Sequence, residues 1–585
     1  MNARIVLLIV FVVVTGWVFG QQQPVEPTVA GLQFSPQNAE GYPIKSVSII
    51  LHKAEGKFLA DSAETAAFYN AFHIKPGGIF RQALADLAIL TIEKQPYIKS
   101  ANYQLYNTSQ ADPVMVLVHV FFLNTDETKS SPAGKGMLNT HSFKSFPVLS
   151  ETDHSKLTFI LNGGLGFFNE SNALFAKGPA FTQGNPIADN PAVKGERFWG
   201  EVNLEPGLAG ILRLGKSNIY GYGAVSVLFS GRNTTDIYSN SSAFFTDVER
   251  MYAGLLITRL GKNKKTNIDL SFGRQFYQLD DGFLISKFSG SANAGPRGTV
   301  YLNSRTAFEK TALIKIQSGR WTVNGFFLEP QELFKNRQSN TAYAGGTLTY
   351  NDNGHINTGF TYLRTVGGSS RYNTPQGAFA KKGMYILNPK LYIKDISGTG
   401  IFVKSEYAYQ LHSNYNMRSN AWYIGAGMSK SKWKYRPSFY YRYAFMKGDD
   451  STTARFEKFD PVLTGGLGNW VQGINFRKVN GNGNFISHRV EFKAYLSKAF
   501  EFSIDYFHLS ANTLSNLGAL PPIATLKAKK YGHEVTLTTR YFLNNHFMLL
   551  CLLSHAKPGD AIKNAFDNKG VYSWTSVQSS LFMFF

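Results

Sequence analysis

The chain has 585 residues, with 60 Lys and Arg against 39 Asp and Glu and a formal charge of +21. Cys551 is the only cysteine, which excludes an intramolecular disulfide framework and a redox cysteine pair. Mean hydropathy is slightly negative at -0.17, although the chain carries 30 Tyr and 47 Phe; this suits strands that give half their residues to water.

Asn2-Ala3-Arg4 is a short positive start, Ile5 to Val14 is almost wholly apolar, and Val18-Phe19-Gly20 before Gln21 has the small-residue character of a cleavage site. Residues 1–20 therefore read as a signal peptide. The apolar core is too short to span a bilayer with ease, and after Gln21 no run nears the roughly twenty residues a spanning helix needs. The longest, Phe547 to Leu553, is strand-sized. An exported chain without spanning helices can still cross a membrane as a closed barrel. Export also redirects the positive charge, away from nucleic acid and toward lipopolysaccharide, an anionic polymer or small anions.

Residues 21–41 form a polar, Pro-containing lead-in. Periodicity changes between Tyr42 and Leu123. Val47-Ser48-Ile49-Ile50-Leu51 reads as a strand, and Asp61-Ser62-Ala63-Glu64 opens a helix as a capping box, with Ala66, Ala67, Phe68 and Phe72 on its apolar side. Ile74-Lys75-Pro76-Gly77-Gly78-Ile79-Phe80 is a turn between apolar anchors. Leu84, Leu87, Ala88 and Leu90 then follow helical spacing until Gln95-Pro96-Tyr97. Strands Ile98 to Leu105 and Val114 to Phe122 complete the order strand, helix, helix, strand, strand. Together with Pro96-Tyr97-Ile98-Lys99-Ser100, this stretch resembles a POTRA domain (polypeptide-transport-associated); the other reading is an unrelated small α+β module. The resemblance implies a periplasmic module that can offer a sheet edge to a protein partner. Residues 124–155, rich in Ser, Thr and Lys and containing Pro132-Ala133-Gly134, read as a linker.

From 156 to 585 the period is two. Trp433, Tyr435, Pro437, Phe439, Tyr441 and Tyr443 share one face, while Lys434, Arg436, Ser438, Tyr440, Arg442 and Ala444 share the other. Strands are expected at Lys156–Phe168, Phe198–Leu212, Tyr220–Ser230, Met251–Leu260, Thr266–Phe276, Ala307–Ile316 and Trp321–Glu329. They continue at Ala342–Tyr350, Ile356–Val366, Met384–Lys394, Ile401–His412, Trp422–Ser429, Trp433–Ala444 and Val471–Arg477. Phe485–Leu496, Phe500–Leu509, Tyr531–Leu543, Phe547–His555 and Trp574–Phe585 close the series. The expected fold is mainly β, a large antiparallel transmembrane barrel of about 18 strands, preceded by a small N-terminal α+β domain. The aromatic last strand, with Phe585, Met583 and Leu581 alternating with Phe584 and Phe582, resembles the end that barrel-assembly machinery recognises.

Alternation assigns the lumen. A lipid-facing Arg near the midplane costs about 2–4 kcal/mol, so mid-strand charges turn inward. This places Lys390, Lys394, Lys404, Lys434, Arg436, Arg442, Arg477, Arg489, Lys493 and Arg540 inside, with Glu406, Glu491, Glu501, Asp505 and Glu534 as an acidic minority. Arg489 and Glu491 suit either a solute path or a wall-stiffening ion pair. Lys434, Arg436 and Arg442 have no acid on their own strand and favour an anionic solute.

Two stretches resemble the alginate export family of outer-membrane porins. One is Leu270-Ser271-Phe272-Gly273-Arg274-Gln275-Phe276 followed by Leu279-Asp280-Asp281-Gly282. The other is Arg455-Phe456-Glu457-Lys458-Phe459-Asp460-Pro461, then Trp470-Val471-Gln472-Gly473. The resemblance implies a monomeric barrel in the outer membrane of a Gram-negative bacterium, passing an anionic polysaccharide outward. The front domain and the lumenal acids depart from the usual pattern. Turn chemistry alone would also account for Asp460-Pro461 and Asp280-Asp281-Gly282.

The competing function is a POTRA-barrel for protein translocation or outer-membrane assembly. Such barrels carry a Val-Arg-Gly-Phe-like loop, for which Pro296-Arg297-Gly298-Thr299 is a poor substitute. His412, His488, His508, His533 and His555 are scattered singly, without metal-ligand spacing or a nucleophile elbow. No enzyme activity, metal or cofactor is expected. The expected partners are outer-membrane lipid and lipopolysaccharide, the assembly machinery, a periplasmic protein and the solute.

Overall fold

The computed structural model describes residues 148–584, apart from 153, 184, 186–187, 216, 240–241, 262–265, 287–298, 300, 303, 333–337, 353–354, 375–376, 431–432, 465–469, 471, 498, 517–524 and 544–545. Ahead of these it describes 32–34, 39, 44–53, 56–60, 74–76, 80, 82, 85, 88–89, 92, 98–107 and 114–122. The expected signal peptide, capping-box helix, Gly77-Gly78, Leu84, Leu87, Leu90, Pro96-Tyr97, Phe585 and most of the lead-in and linker lie outside the described residues.

The front part holds a five-stranded sheet of β1 (Leu32–Phe34), β2 (Ile44–Lys53), β3 (Gly56–Leu59), β4 (Ile98–Asn107) and β5 (Val114–Phe122). Their spatial order is β1-β4-β5-β2-β3, with β2 parallel to β5 and the other pairs antiparallel. A parallel pair needs a crossover. Ala85, Ala88 and Ile89 lie between the two strands, are helical and are buried. Their i, i+3, i+4 spacing turns one helix face onto Val47, Ile49, Val116 and Val118, with which they share a core.

After the short β6 (Val148–Glu151) the barrel begins with β7 (Ser155–Ser171), β8 (Glu196–Arg213), β9 (Ile219–Arg232), β10 (Ala243–Leu260), β11 (Thr266–Arg274) and β12 (Lys310–Ser318). It continues with β13 (Trp321–Glu329), β14 (Ala342–Asn351), β15 (Ile356–Gly367), a loop hairpin of β16 (Arg371–Thr374) and β17 (Gly377–Ala380), then β18 (Met384–Ile393) and β19 (Ile401–His412). It ends with β20 (Arg418–Ser429), β21 (Ser438–Met446), β22 (Phe485–Tyr495), β23 (Phe500–Ser510), β24 (Lys530–Phe542), β25 (Phe547–Pro558) and β26 (Trp574–Phe584). Among the described residues eighteen of these strands form one antiparallel barrel, which β26 closes by pairing with β7 from Thr575↔Ser171 to Phe584↔Asn162. Closure leaves no edge unpaired, as a strand crossing hydrocarbon requires. Among the described residues no helix is long and apolar enough to cross a membrane.

The exterior is apolar. Phe167, Phe229, Met251, Phe272, Ile424, Phe439, Val535 and Leu553 are exposed on successive walls, whereas their neighbours in sequence turn inward. In water such a surface would be a large aggregation patch; in lipid it is the solvated face. Inside, Glu170, Glu201, Glu406, Asn388, Gln410 and Glu534 are buried, because loops from the long-loop end fold back into the barrel and cover them.

Two expected strands are corrected. The segment expected as Trp433–Ala444 is a strand only from Ser438. Trp433 donates its backbone N–H to the Lys430 carbonyl at 3.0 Å, Arg436 donates to Trp433 at 3.0 Å, and Tyr435 and Arg436 have φ of 65° and 43°. This is a turn, whose residues happen to alternate. Val471–Arg477 is not a strand either. Gly473 has φ +82°, Phe476–Lys478 is a 3-10 turn, and the Ile474, Asn475 and Phe476 amides donate to the Glu534 carboxylate rather than to a ladder. Removing that one strand from the nineteen expected segments leaves the observed eighteen.

Candidate functional site

The loop joining β11 to β12 (275–309) and the loop joining β21 to β22 (447–484) meet inside the barrel. Ile285 and Leu463 form a parallel bridge. Ser286 donates its backbone N–H to Leu463 at 3.1 Å, and Leu463 donates to Leu284 at 3.1 Å. Thr464 Oγ1 donates to the Gly282 carbonyl at 3.1 Å. Each loop therefore supplies the other with backbone partners that the barrel interior would otherwise deny it.

Asp280-Asp281-Gly282 is a tight turn, with Asp280 at φ 50° and Gly282 at φ +93°. Gly282 donates back to Leu279 at 2.9 Å. The turn presents two carboxylates to the wall. Asp280 pairs with Lys390 of β18, whose side chain is fully buried. Asp281 accepts from Tyr423 Oη of β20 at 3.0 Å and from Trp470 Nε1 at 3.1 Å. Tyr423 Oη also lies 3.1 Å from Glu406 Oε1 and 3.1 Å from Tyr392 Oη, which itself bonds Glu406. Above this set Phe283, Tyr423 and Trp470 pack with ring centroids 4.6–5.3 Å apart.

The sequence stretches 270–282 and 455–473 thus meet, through the Asp281–Trp470 and Gly282–Thr464 hydrogen bonds. Arg442 of β21 completes the junction. Its guanidinium lies 4.1 Å from the Trp470 ring centroid and donates to Gln472 Oε1 at 3.2 Å, which also accepts from Ser487 at 2.8 Å. A desolvated cation–π contact is worth about 2 kcal/mol, and removing one member of a buried ion pair such as Lys390–Asp280 costs about 3–5 kcal/mol.

The remaining motif residues fasten the loop ends. Gly273 has φ +123°, and a Cβ there would stand 2.3 Å from the Met251 carbonyl. Arg274 pairs with Asp247 at 2.9 Å and Glu309 at 3.2 Å, while Gln275 donates to Ser271 at 3.0 Å and Thr311 at 2.8 Å. Phe459 is buried beside Asp460, whose backbone exchanges two hydrogen bonds with the Gln410 side chain of β19 at 2.6 and 2.8 Å. The Asp460 carboxylate accepts from Tyr372 at 2.6 Å and from Lys381 at 3.0 Å. Burial alone would raise this carboxyl, but Lys381, the Tyr372 hydroxyl and the Val462 amide together hold it below the usual carboxylate range. Pro461 follows directly. Gly473 lets the chain pass so close to Glu534 that a Cβ would be 2.5 Å from its carboxylate oxygen.

The other expected lumen residues divide by location. Lys404 faces inward, 5.8 Å from the Tyr392 ring centroid. Arg489 pairs with Asp505 at 2.7 Å and with Glu491, Lys493 lies 3.9 Å from Glu491, and Arg540 pairs with Glu501. These six residues form ion pairs along the inner wall of β22–β24. Arg477 is inside but on the inward loop, donating to Ile474 at 3.2 Å. Lys434 and Arg436 are corrected: they lie in the 433–437 turn at the short-turn rim, Lys434 exposed and Arg436 half-buried, because the positive-φ turn ends before the wall begins. Lys394 likewise follows the end of β18.

Sequence reasoning missed the wall carboxylates that grip loop amides. Glu201 accepts from Tyr301 at 2.9 Å and Leu302 at 2.9 Å, and Glu249 accepts from Thr306 at 2.6 Å and Ala307 at 2.8 Å. Glu170 takes Lys478 at 2.6 Å. Their inward parity was readable; their partners, backbone amides for Glu201 and Glu249 and the Lys478 ammonium for Glu170, lie 57 to 308 residues away and carried no local signal. Among the described residues no cluster of His, Cys, Asp or Glu is arranged to hold a metal ion.

A closed barrel with an apolar exterior and a polar interior crossed by two loops defines a membrane-spanning barrel of the channel class. A family model described as Alginate export matches residues 239–576, more than half of the chain, and the chain belongs to that family of outer-membrane channel proteins. Both sequence stretches that meet at the loop junction fall within the match. No curated protein matches the chain. Among solved structures it is similar to Pseudomonas aeruginosa OccK5 (OpdH), at 11% identity over 73% of this chain and 98% of that one, with a TM-score of 0.44. For Pseudomonas aeruginosa OccK11 (OpdR) the values are 12%, 73%, 95% and 0.42, and for the Salmonella typhi OmpF complex with daunomycin 10%, 74%, 98% and 0.37.

Proposed function

We propose that the protein passes an anionic solute or exopolysaccharide across the outer membrane, through a lumen narrowed by the junction of the two inward loops. In this reading the N-terminal sheet is a POTRA-like periplasmic module that docks a protein partner, and residues 1–20 direct export. The observation that carries the transport reading is the set of inward bases on β18, β19, β21 and β22, of which Lys390, Arg489 and Lys493 are held in ion pairs with Asp280, Asp505 and Glu491, while Lys404 and Arg442 stand against the Tyr392 and Trp470 rings. Fixed positive charge beside a confined passage raises the local anion concentration, an effect screened over about 10 Å at 0.1 M salt. Membership of the Alginate export family favours this reading over protein translocation.

The test is the reversal potential of the full chain in planar bilayers under a salt gradient. We expect anion preference at low salt that fades toward molar salt, reduced in Lys404→Gln/Arg442→Gln and unchanged in Arg436→Gln at the rim. An intrinsic cation preference would overturn the reading.

A further inference from the structure

The outer face of the barrel carries a basic row that the channel reading does not use. In the ladders, Tyr443 stands opposite His488, His488 opposite His508, His508 opposite His533, and His533 opposite Lys557. These residues alternate with the inward Ser487, Arg489, Phe507, Glu534 and Ala556, so all face outward. His508 Nδ1 and His533 Nδ1 are 3.2 Å apart, and the His488 and His508 rings lie 5.8 Å apart. Tyr441 and Tyr506 hydroxyls reach His488 and His533 at 2.9 and 2.6 Å. His555 lies one outward position below Lys557.

Every carboxylate on β21–β25 (Glu491, Glu501, Asp505 and Glu534) faces inward, so among the described residues the outward side of these strands has cations and no acid. The titratable neighbours of His508 and His533 are His488, Lys530, Lys557 and each other. With no acid beside them, the imidazole N–H groups and the Lys557 ammonium are hydrogen-bond donors that an anionic group at this height would satisfy.

Height supplies the second argument. On β24 the outward series runs Tyr541, Thr539, Leu537, Val535, His533. Eight residues at about 3.3 Å each, tilted by roughly 40°, raise His533 about 20 Å above Tyr541. An apolar band is about 25 Å tall, so the row sits where hydrocarbon gives way to headgroups, at the loop-bearing end.

The geometry points to a docking site for the phosphate-bearing headgroup of a membrane lipid on His488, His508, His533 and Lys557, with its acyl chains against Val490, Tyr506, Val535 and Leu553. The phosphate neutralises the basic row, and the tyrosine hydroxyls complete its hydrogen bonds.

The experiment uses the full chain in nanodiscs of phosphatidylcholine doped either with diphosphorylated lipid A or with its dephosphorylated form, reading lipid retained on the released barrel by native mass spectrometry. Retention of the phosphorylated lipid is expected to fall roughly tenfold in His508→Asn/His533→Asn/Lys557→Gln, and to persist in Lys310→Gln on the opposite wall. Equal retention by the triple variant, or equal retention of the dephosphorylated lipid, would overturn the proposal. So would protection by inorganic phosphate alone, because the site would then not select a lipid. If the triple variant does not fold, carbethoxylation of the wild-type histidines decides: the phosphorylated lipid should shield His508 and His533, and undiminished labelling would refute the site.

Discussion

Asp460 shows how one buried carboxylate ties three pieces of chain together. Its side chain holds Lys381 and Tyr372 of the 368–383 loop, and its backbone holds Gln410 on the wall. Because the folded carboxyl is held below its ordinary value of about 3.9, its contribution is complete above that value and is lost only as pH falls through the lower folded value. We therefore expect hydrogen exchange in the Arg371–Ala380 hairpin to be constant from neutral pH down to about pH 4 and to accelerate below it. Asp460→Asn should accelerate it at every pH. A loosening of the wild-type hairpin between pH 7 and 5 would assign the tie to another group. From sequence, Asp460-Pro461 was legible as a family motif and equally as a turn. What decides between them, the partners Tyr372, Lys381 and Gln410, lies 50 to 88 residues away and leaves no mark on local spacing.

Elements were legible where one face meets lipid and the other does not. β22 is such a case: Val490 and Phe492 face out while Arg489, Glu491 and Lys493 face in, and a one-residue slip would put charges into hydrocarbon. The two misread segments are those where the pattern has another cause. In 433–437 alternation continues across a positive-φ turn, and in 472–477 apolar residues pack inside the barrel, where Phe476 meets Phe175 at 5.1 Å. An apolar side chain facing a filled lumen looks in sequence like one facing lipid. At the N-terminus the three expected strands are present, but the sheet also holds β1, within the expected lead-in, and β3, neither of which was expected; the parallel β2–β5 pair demands a crossover. Residues 42–123 expressed alone should therefore unfold cooperatively, followed by circular dichroism in urea. A broad, non-cooperative loss of signal would count against an independent domain and against the POTRA-like reading.

At the scale of the molecule, the barrel provides a rigid wall and the two loops provide the site. Alternation gave the outer surface, the strand number to within one and the inward charges carried by the strands, but misassigned Lys434 and Arg436, which lie on a turn, and Arg477, which lies on a loop. It did not give the loops that fold into the interior, since these obey no strand period. The family stretches were visible as unusual combinations, and their purpose emerges only in three dimensions, where Asp281, Arg442 and Trp470 meet. That junction is the central claim, and single-channel conductance in planar bilayers tests it most directly. Trp470→Ala removes the indole that Asp281 and Arg442 both hold, while touching no outward side chain. The account predicts a folded, heat-modifiable barrel with higher conductance and more frequent current fluctuations than wild type. A folded Trp470→Ala barrel with unchanged conductance would contradict it, because the junction would then not lie across the path of the current.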